Sequence, residues 1–199
     1  MRQLRLDATA RKSVRLGLNA TDSLLESYTM KGPDRTEYDP YYEPYVSLVA
    51  DDDIIDTLAS QPTRLNDLMT ALPEDKGTYS YAEGKWSIKE LLGHLIDGER
   101  MFAYRLLRIS RGDKTPIEGF EQDGYIENAH SNQRSFADLL EEFALLRRAN
   151  MIFFKNMTDD AWSRVGTANN VQISARALVY IMAGHIEHHL NIFRERYLA

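Results

Sequence analysis

The sequence predicts an all-α protein, a four-helix bundle carrying an N-terminal extension. Three observations lead there. Four long stretches repeat apolar residues at spacings of three and four, the pattern of helices with one buried face. Capping residues open several of these stretches, and glycine or proline closes them. No sustained alternation of apolar and polar residues competes with the helical period, and two of the connections are long, as bundles with crossover connections require.

Residues 1–36 differ from the remainder. Arg2, Arg5, Arg11, Lys12, Arg15, Lys31 and Arg35 outnumber Asp7, Asp22, Glu26 and Asp34, a net of +3 that leaves −9 for the rest. Leu16, Leu18, Leu24 and Leu25 suggest a short helix, but the segment carries no recognisable chemistry. Residues 37–199 form the bundle domain. Tyr38, Pro40, Tyr41, Tyr42, Pro44 and Tyr45 read as an irregular entry segment packed on the body.

The first long helix starts near Asp51–Asp53, since acids favour the positive end of a helix dipole. Ile54, Ile55, Leu58, Leu65, Leu68 and Met69 give its apolar face, and Pro73 and the 77–84 stretch end it. The second opens on Ser87 with Glu90 three residues on, a capping box. Leu91, Leu92, Leu95, Ile96, Met101, Phe102, Leu106 and Ile109 form its face, and Arg111-Gly112-Asp113 stops it. A loop then runs through Pro116 to about Gly124. The third helix spans about Ser135 to Met157, with Phe136, Leu139, Leu140, Phe143, Leu146 and Phe153 inward. Residues 166–170 read as a turn. The fourth helix begins near Ser174 and runs through Leu178, Ile181, His185, Ile192 and Phe193 to Tyr197.

Composition narrows the function. The 199 residues, 43% hydrophobic and 27% charged, suit one soluble domain with some length to spare. There is no cysteine, so thiolate zinc sites, disulfides and a cysteine nucleophile are excluded. The net charge of −6 argues against nucleic acid as a partner. No apolar run approaches the ~20 residues of a membrane span, and the basic N-terminus lacks the apolar stretch of a secretory signal. The expected location is cytoplasmic.

Three of the five histidines fall in His185-Ile186-Glu187-His188-His189. Residues four apart share a helix face, so His185 and His189 aim at one point, within about 40° of each other on the core stripe. His188 falls at the stripe's edge. Glu187 falls on the opposite, solvent side, which separates this cluster from a zincin helix, where Glu in the second position serves as base. His94, in Gly93-His94-Leu95-Ile96-Asp97, supplies a third inward imidazole from the second helix, while His130 is less constrained. Three histidines from facing helices would leave positions open for water or substrate, as in catalytic sites. The plainer readings are hydrogen-bonded core histidines and a solvated helix end. Asp97 and Glu99 are candidate acceptors for the ligands' other N–H, and Gly93 and Gly184 candidate sites of close approach. Trp86 reads as core, Asp123 and Tyr125 as structural, and Arg147-Arg148 as a solvated face.

These residues resemble a family. Trp86-Ser87-Ile88-Lys89-Glu90, then residues 93–100 and 183–189, with Phe120-Glu121-Gln122-Asp123-Gly124-Tyr125 between them, look like the DinB-like / YfiT-like bundle proteins over residues 37–199. The resemblance implies a four-helix bundle, often a homodimer, with a divalent metal, zinc or nickel, held by His94, His185 and His189, and with His188 in a non-ligand position. Relatives include bacillithiol S-transferases and mycothiol-dependent isomerases, which implies a small-molecule substrate and a low-molecular-weight thiol as cosubstrate. Three functions follow as expectations: a metal-dependent enzyme activating a thiol or a water toward a small electrophile, a metal-dependent hydrolase, or a non-catalytic stress-linked metal- or ligand-binding protein. No general base is visible, with His188 and Asp97 as the available groups.

Overall fold

The computed structural model describes residues 30–198. The helix suggested by Leu16–Leu25 lies outside them. Four long helices form the bundle: α2 (Ile54–Thr70), α3 (Ile88–Ser110), α5 (Phe136–Lys155) and α7 (Ala175–Ile192). Their starts obey local chemistry. The Asp53 carboxylate accepts the backbone N–H groups of Ile55 and Asp56, and Ser87 and Glu90 cap each other reciprocally. Ser135 and Ser174 accept the N–H groups of Asp138 and Ala177. Each side-chain oxygen satisfies an N–H that the helix leaves without an internal partner. A wider turn, Phe193–Tyr197, extends α7.

The main contacts set the arrangement: α5 packs on α2 and α3, and α7 packs on α3 and α2. Helices α2 and α3 are therefore diagonal, as are α5 and α7. The α2–α3 and α5–α7 connections therefore cross the bundle end, while the longest, residues 111–135, joins the neighbours α3 and α5. Before the bundle, α1 (Glu43–Val46) packs along α7. The Tyr180 hydroxyl donates to the Met30 carbonyl, and Glu37 takes Ser174 and Arg176, fastening residues 30–37 to the start of α7.

Three local expectations are corrected. The segment 166–170 is more than a turn: β1 (Val165–Ala168) and β2 (Val171–Ser174) form an antiparallel hairpin with Gly166 opposite Ile173. Asn169 and Asn170 take its tip at φ 51° and 64°, a left-handed conformation that asparagine tolerates. The loop after α3 is shorter than its sequence suggests, because α4 (Gln122–Ala129) begins before Gly124. The remaining loop is pinned to the hairpin, with Ile117 N–H donating to the Thr167 carbonyl and Asn169 N–H to the Ile117 carbonyl, both at 2.9 Å. The Tyr/Pro segment is likewise ordered, into a 3-10 turn (Pro40–Tyr42) and α1. A short helix (Asp159–Trp162), α6, precedes the hairpin.

The core divides into two apolar clusters, and the division runs through every long helix. Along α2, Leu58 belongs to one and Leu65 to the other; along α3, Phe102 and Ile96; along α5, Phe154 and Phe143; along α7, Ala183 and Ile186. At that level lie Gln61, Glu99, Arg147 and His185, all buried. A polar belt thus crosses the middle of the bundle.

Candidate metal centre

The structure brings His94, His185 and His189 together on that belt. His94 Nε2 lies 2.9 Å from His185 Nε2, and His189 Nε2 lies 3.2 Å from it. One nitrogen from each ring lies within 4.8 Å of the others, and all three residues are buried. Two nitrogens bound tetrahedrally to zinc at ~2.0–2.1 Å stand about 3.3 Å apart, so the spacing suits one shared ion.

Neighbouring aromatic rings fix the imidazoles. Trp86 lies against His94 at 4.8 Å between centroids. Phe102 and Tyr45 meet His185 edge-on at 5.5 and 5.7 Å. Two glycines make room. A Cβ on Gly98 would sit 3.1 Å from His185 Cε1, so the bare backbone of α3 lets that ring lie across it. A Cβ on Gly184 would overlap the Tyr45 carbonyl, so glycine lets α1 approach α7 closely enough to place Tyr45 beside the cluster. Gly93 faces Ser131 in the same way.

Burial keeps the rings neutral. It lowers the His94 pKa to about 4, opposed weakly by the Asp123 charge. His185 and His189 are pushed well below the usual histidine range by burial and by neighbouring histidines, with Arg147 adding to the effect on His185. Neutral imidazoles offer lone pairs, and three converging lone pairs repel unless a cation or protons lie between them. A neutral ring keeps one nitrogen lone pair free to bind a cation.

His188 lies beside the cluster, its ring edge-on to Tyr45 at 5.4 Å and to His189 at 5.0 Å. His130 lies outside it, exposed and left-handed at the end of α4. Asp123 and Tyr125 are exposed on α4, and Tyr125 packs on Phe120. Several assignments need correction. Glu187 does turn away from the cluster, but toward α2 rather than solvent, where it takes Arg64 and the Gln61 amide. Arg147 is 1% exposed and so is no solvated face. Its guanidinium holds both Glu99 oxygens at 2.8 Å, and also the Leu58 carbonyl and Gln61 Oε1. Glu99 is thereby committed to Arg147 and Asn150, and supports no histidine. Asp97 is half-buried, its pKa raised by desolvation, with Arg100 and Glu142 as its charged neighbours. His189 Nδ1 is buried without a protein partner.

A cavity of about 270 Å³ opens onto His94 and His185. Its other walls come from three places: Tyr41, Tyr42 and Tyr45 before the bundle; Gly98, Phe102 and Arg105 on α3; and Phe120, Glu121, Gln122 and Asn169 from the pinned loop, α4 and the hairpin tip. The tyrosines and Arg105 were not recognised as site residues from sequence. Arg105 could have been, since it repeats the direction of His94 three turns on.

The family profile described as the DinB superfamily matches residues 57–193. The chain belongs to the DinB superfamily. A protein of Oceanobacillus iheyensis named "Putative metal-dependent hydrolase" is 23% identical over 128 residues, covering 64% of this chain and 73% of that one. Among solved structures, YfiT from Bacillus subtilis, described as a probable metal-dependent hydrolase with an unusual four-helix bundle topology, superposes with a TM-score of 0.67 at 17% identity, covering 71% of this chain and 82% of that chain. The mycothiol-dependent maleylpyruvate isomerase superposes with a TM-score of 0.59 at 14% identity, covering 70% and 58%. At these identities the two structures establish the bundle fold. No helix among the described residues is long and apolar enough to cross a membrane.

Proposed function

We propose that this DinB-superfamily protein is a metal-dependent hydrolase of a small molecule, with His94, His185 and His189 holding one divalent ion, zinc or nickel. The observation that carries this reading is the convergence of three buried, neutral imidazoles beside an open cavity. A closed structural site would surround its ion with four protein ligands; three leave a position for a reacting group. The ion would supply Lewis acidity, drawing a water or a thiol toward its reactive, deprotonated form near neutral pH.

The chain's own residues do the rest. Trp86, Phe102 and Tyr45 hold the imidazoles in place and keep the site partly dry, which strengthens its electrostatics. Glu121 is the only carboxylate among the described cavity residues, and we assign it to accept the proton lost by the nucleophile. A cavity of about 270 Å³ accommodates a small electrophile together with water. Water as nucleophile agrees with the hydrolase descriptions attached to two relatives. A low-molecular-weight thiol is the second reading, favoured by the likeness to a mycothiol-dependent enzyme.

A paired assay tests the proposal. Metal-loaded protein is given a panel of small esters and amides, then a chloro-dinitroarene and an epoxide with a panel of low-molecular-weight thiols. Metal-dependent turnover of the first panel is expected; turnover of the second alone moves the assignment to thiol transfer. Background rates throughout would contradict an enzyme and favour the non-catalytic binding role. General bases contribute roughly 10²–10⁴-fold, so Glu121→Gln should lower kcat by that order while retaining the ion.

A further inference from the structure

Among the described residues, two arginines are buried to a similar degree, in very different surroundings. Arg147, 1% exposed, meets a full set of acceptors, including both oxygens of Glu99. Arg105, 4% exposed, forms no ion pair among the described residues. Its Nη2 reaches only the Glu118 carbonyl, at a long 3.4 Å. The Tyr42 hydroxyl is its other hydrogen-bonding neighbour. Its Nε is buried with no partner. The Phe120 ring faces the guanidinium, with Cζ 5.9 Å from the centroid, and so fixes the plane of the group without satisfying its in-plane donors.

A guanidinium stays protonated even when burial lowers its pKa, as happens here. Buried charges are ordinarily paired, because an unpaired one is costly to remove from water. Here the unpaired charge lines the same cavity as His94 and His185. Eleven residues separate Arg105 from His94 on α3. That returns the helix to within about 20° of the same direction, roughly 16 Å further along the axis. Long helical side chains lean back toward the helix N-terminus, which on α3 is the side of His94, and Arg105 shares its cavity wall with both histidines. Glu121, also in the wall, is exposed and spends a carboxylate oxygen capping α4 at the Asp123 N–H.

We propose that Arg105 anchors an oxyanion on the substrate, so that the protein acts on small molecules with a carboxylate or phosphate at one end and the electrophilic centre, several bonds away, at the histidine cluster. The second half of this statement rests on the proposed metal site; the first does not. A guanidinium fork matches either anion with two parallel hydrogen bonds. Tyr42 and Phe120 position the fork, and the hairpin tip closes the wall behind it through Asn169, which also hydrogen-bonds Tyr42.

The test uses the full chain stripped of metal with a chelator, so that an anion cannot bind through an ion. Arginine Nε–H resonances are followed by NMR during titration with glutarate, inorganic phosphate and, as the neutral control, glutaramide. The Arg105 signal is identified by its absence in Arg105→Lys. It should shift saturably with glutarate or phosphate and stay still with glutaramide; the tighter anion tells a carboxylate substrate from a phosphate one. Arg105→Gln should weaken that binding by about tenfold or more and keep its zinc stoichiometry. No shift with either anion, or equal binding by Arg105→Gln, overturns the proposal; if the variant does not fold, the wild-type titration decides. Zinc retention by His94→Ala is measured alongside, so failure of the metal reading appears separately from failure of the anion reading.

Discussion

Single residues on the polar belt divide into two groups with different consequences. His94, His185 and His189 converge, while Glu99 and Arg147 support the floor beneath them. Removing one partner of a buried ion pair strands the other charge, which costs about 3–5 kcal/mol. Arg147→Met should therefore lower stability by that order in denaturant unfolding, and Glu99→Gln by somewhat less because it keeps a hydrogen-bonding side chain. Arg147→Met combined with Glu99→Leu should recover much of the loss. His188 touches Tyr45 and His189 from the edge. His188→Gln should leave ion retention within about twofold of wild type, whereas loss of a metal's ligand supports typically costs 10–100-fold.

At the scale of elements, close approach is the controlling fact. Gly184→Ala places a methyl group into the Tyr45 carbonyl, so α1 must move away from α7. Overpacking of this kind costs about 1–3 kcal/mol. The expected outcome is a lower Tm together with weakened ion retention, because Tyr45 leaves His185; an unchanged Tm would contradict the packing described. The caps are independent of the site: Ser87→Ala should cost about 1 kcal/mol and spare the ion. The long helices were legible because periodicity and caps act over short stretches of chain. Ser87 with Glu90, Asp53, Ser135 and Ser174 each sit where the sequence placed them. The inward face shared by His94, His185 and His189 was legible for the same reason. What was not legible depends on contacts between distant segments. The hairpin is four residues a side, too short to show alternation, and is stabilised by its bridge to Ile117. Arg147 looked like surface because its polarity is cancelled by Glu99 from another helix. Tyr45 looked like packing because only the bare backbone at Gly184 brings it to the cluster.

For the molecule as a whole, the buried histidines link stability to pH. Burial holds His94 at about 4, against about 6.5 in an unfolded chain. The unfolded state therefore binds protons first as the solution is acidified. The stability contributed by the neutral ring is complete above about pH 6.5, is lost progressively toward pH 4, and changes no further below that. For His94 the loss is about 3 kcal/mol, at roughly 1.4 kcal/mol per tenfold change in proton affinity; His185 and His189 act in the same direction. Chemical denaturation of the metal-free protein across pH 4–7 should show this fall, and His94→Gln should make it shallower by the share of one histidine. A bound ion should raise Tm, because it binds the folded state alone, by an amount equivalent to about 4 kcal/mol when free metal stands at a thousand times Kd.

The proposed ion site needs histidines from α3 and α7, helices far apart in sequence. Elemental analysis of the full chain after loading with excess zinc or nickel and desalting, for the wild type and His94→Ala side by side, tests it. Close to one ion per wild-type chain is expected, and a small fraction of that in the variant. Retention of no stoichiometric ion by the wild type, or equal retention by both proteins, would contradict it.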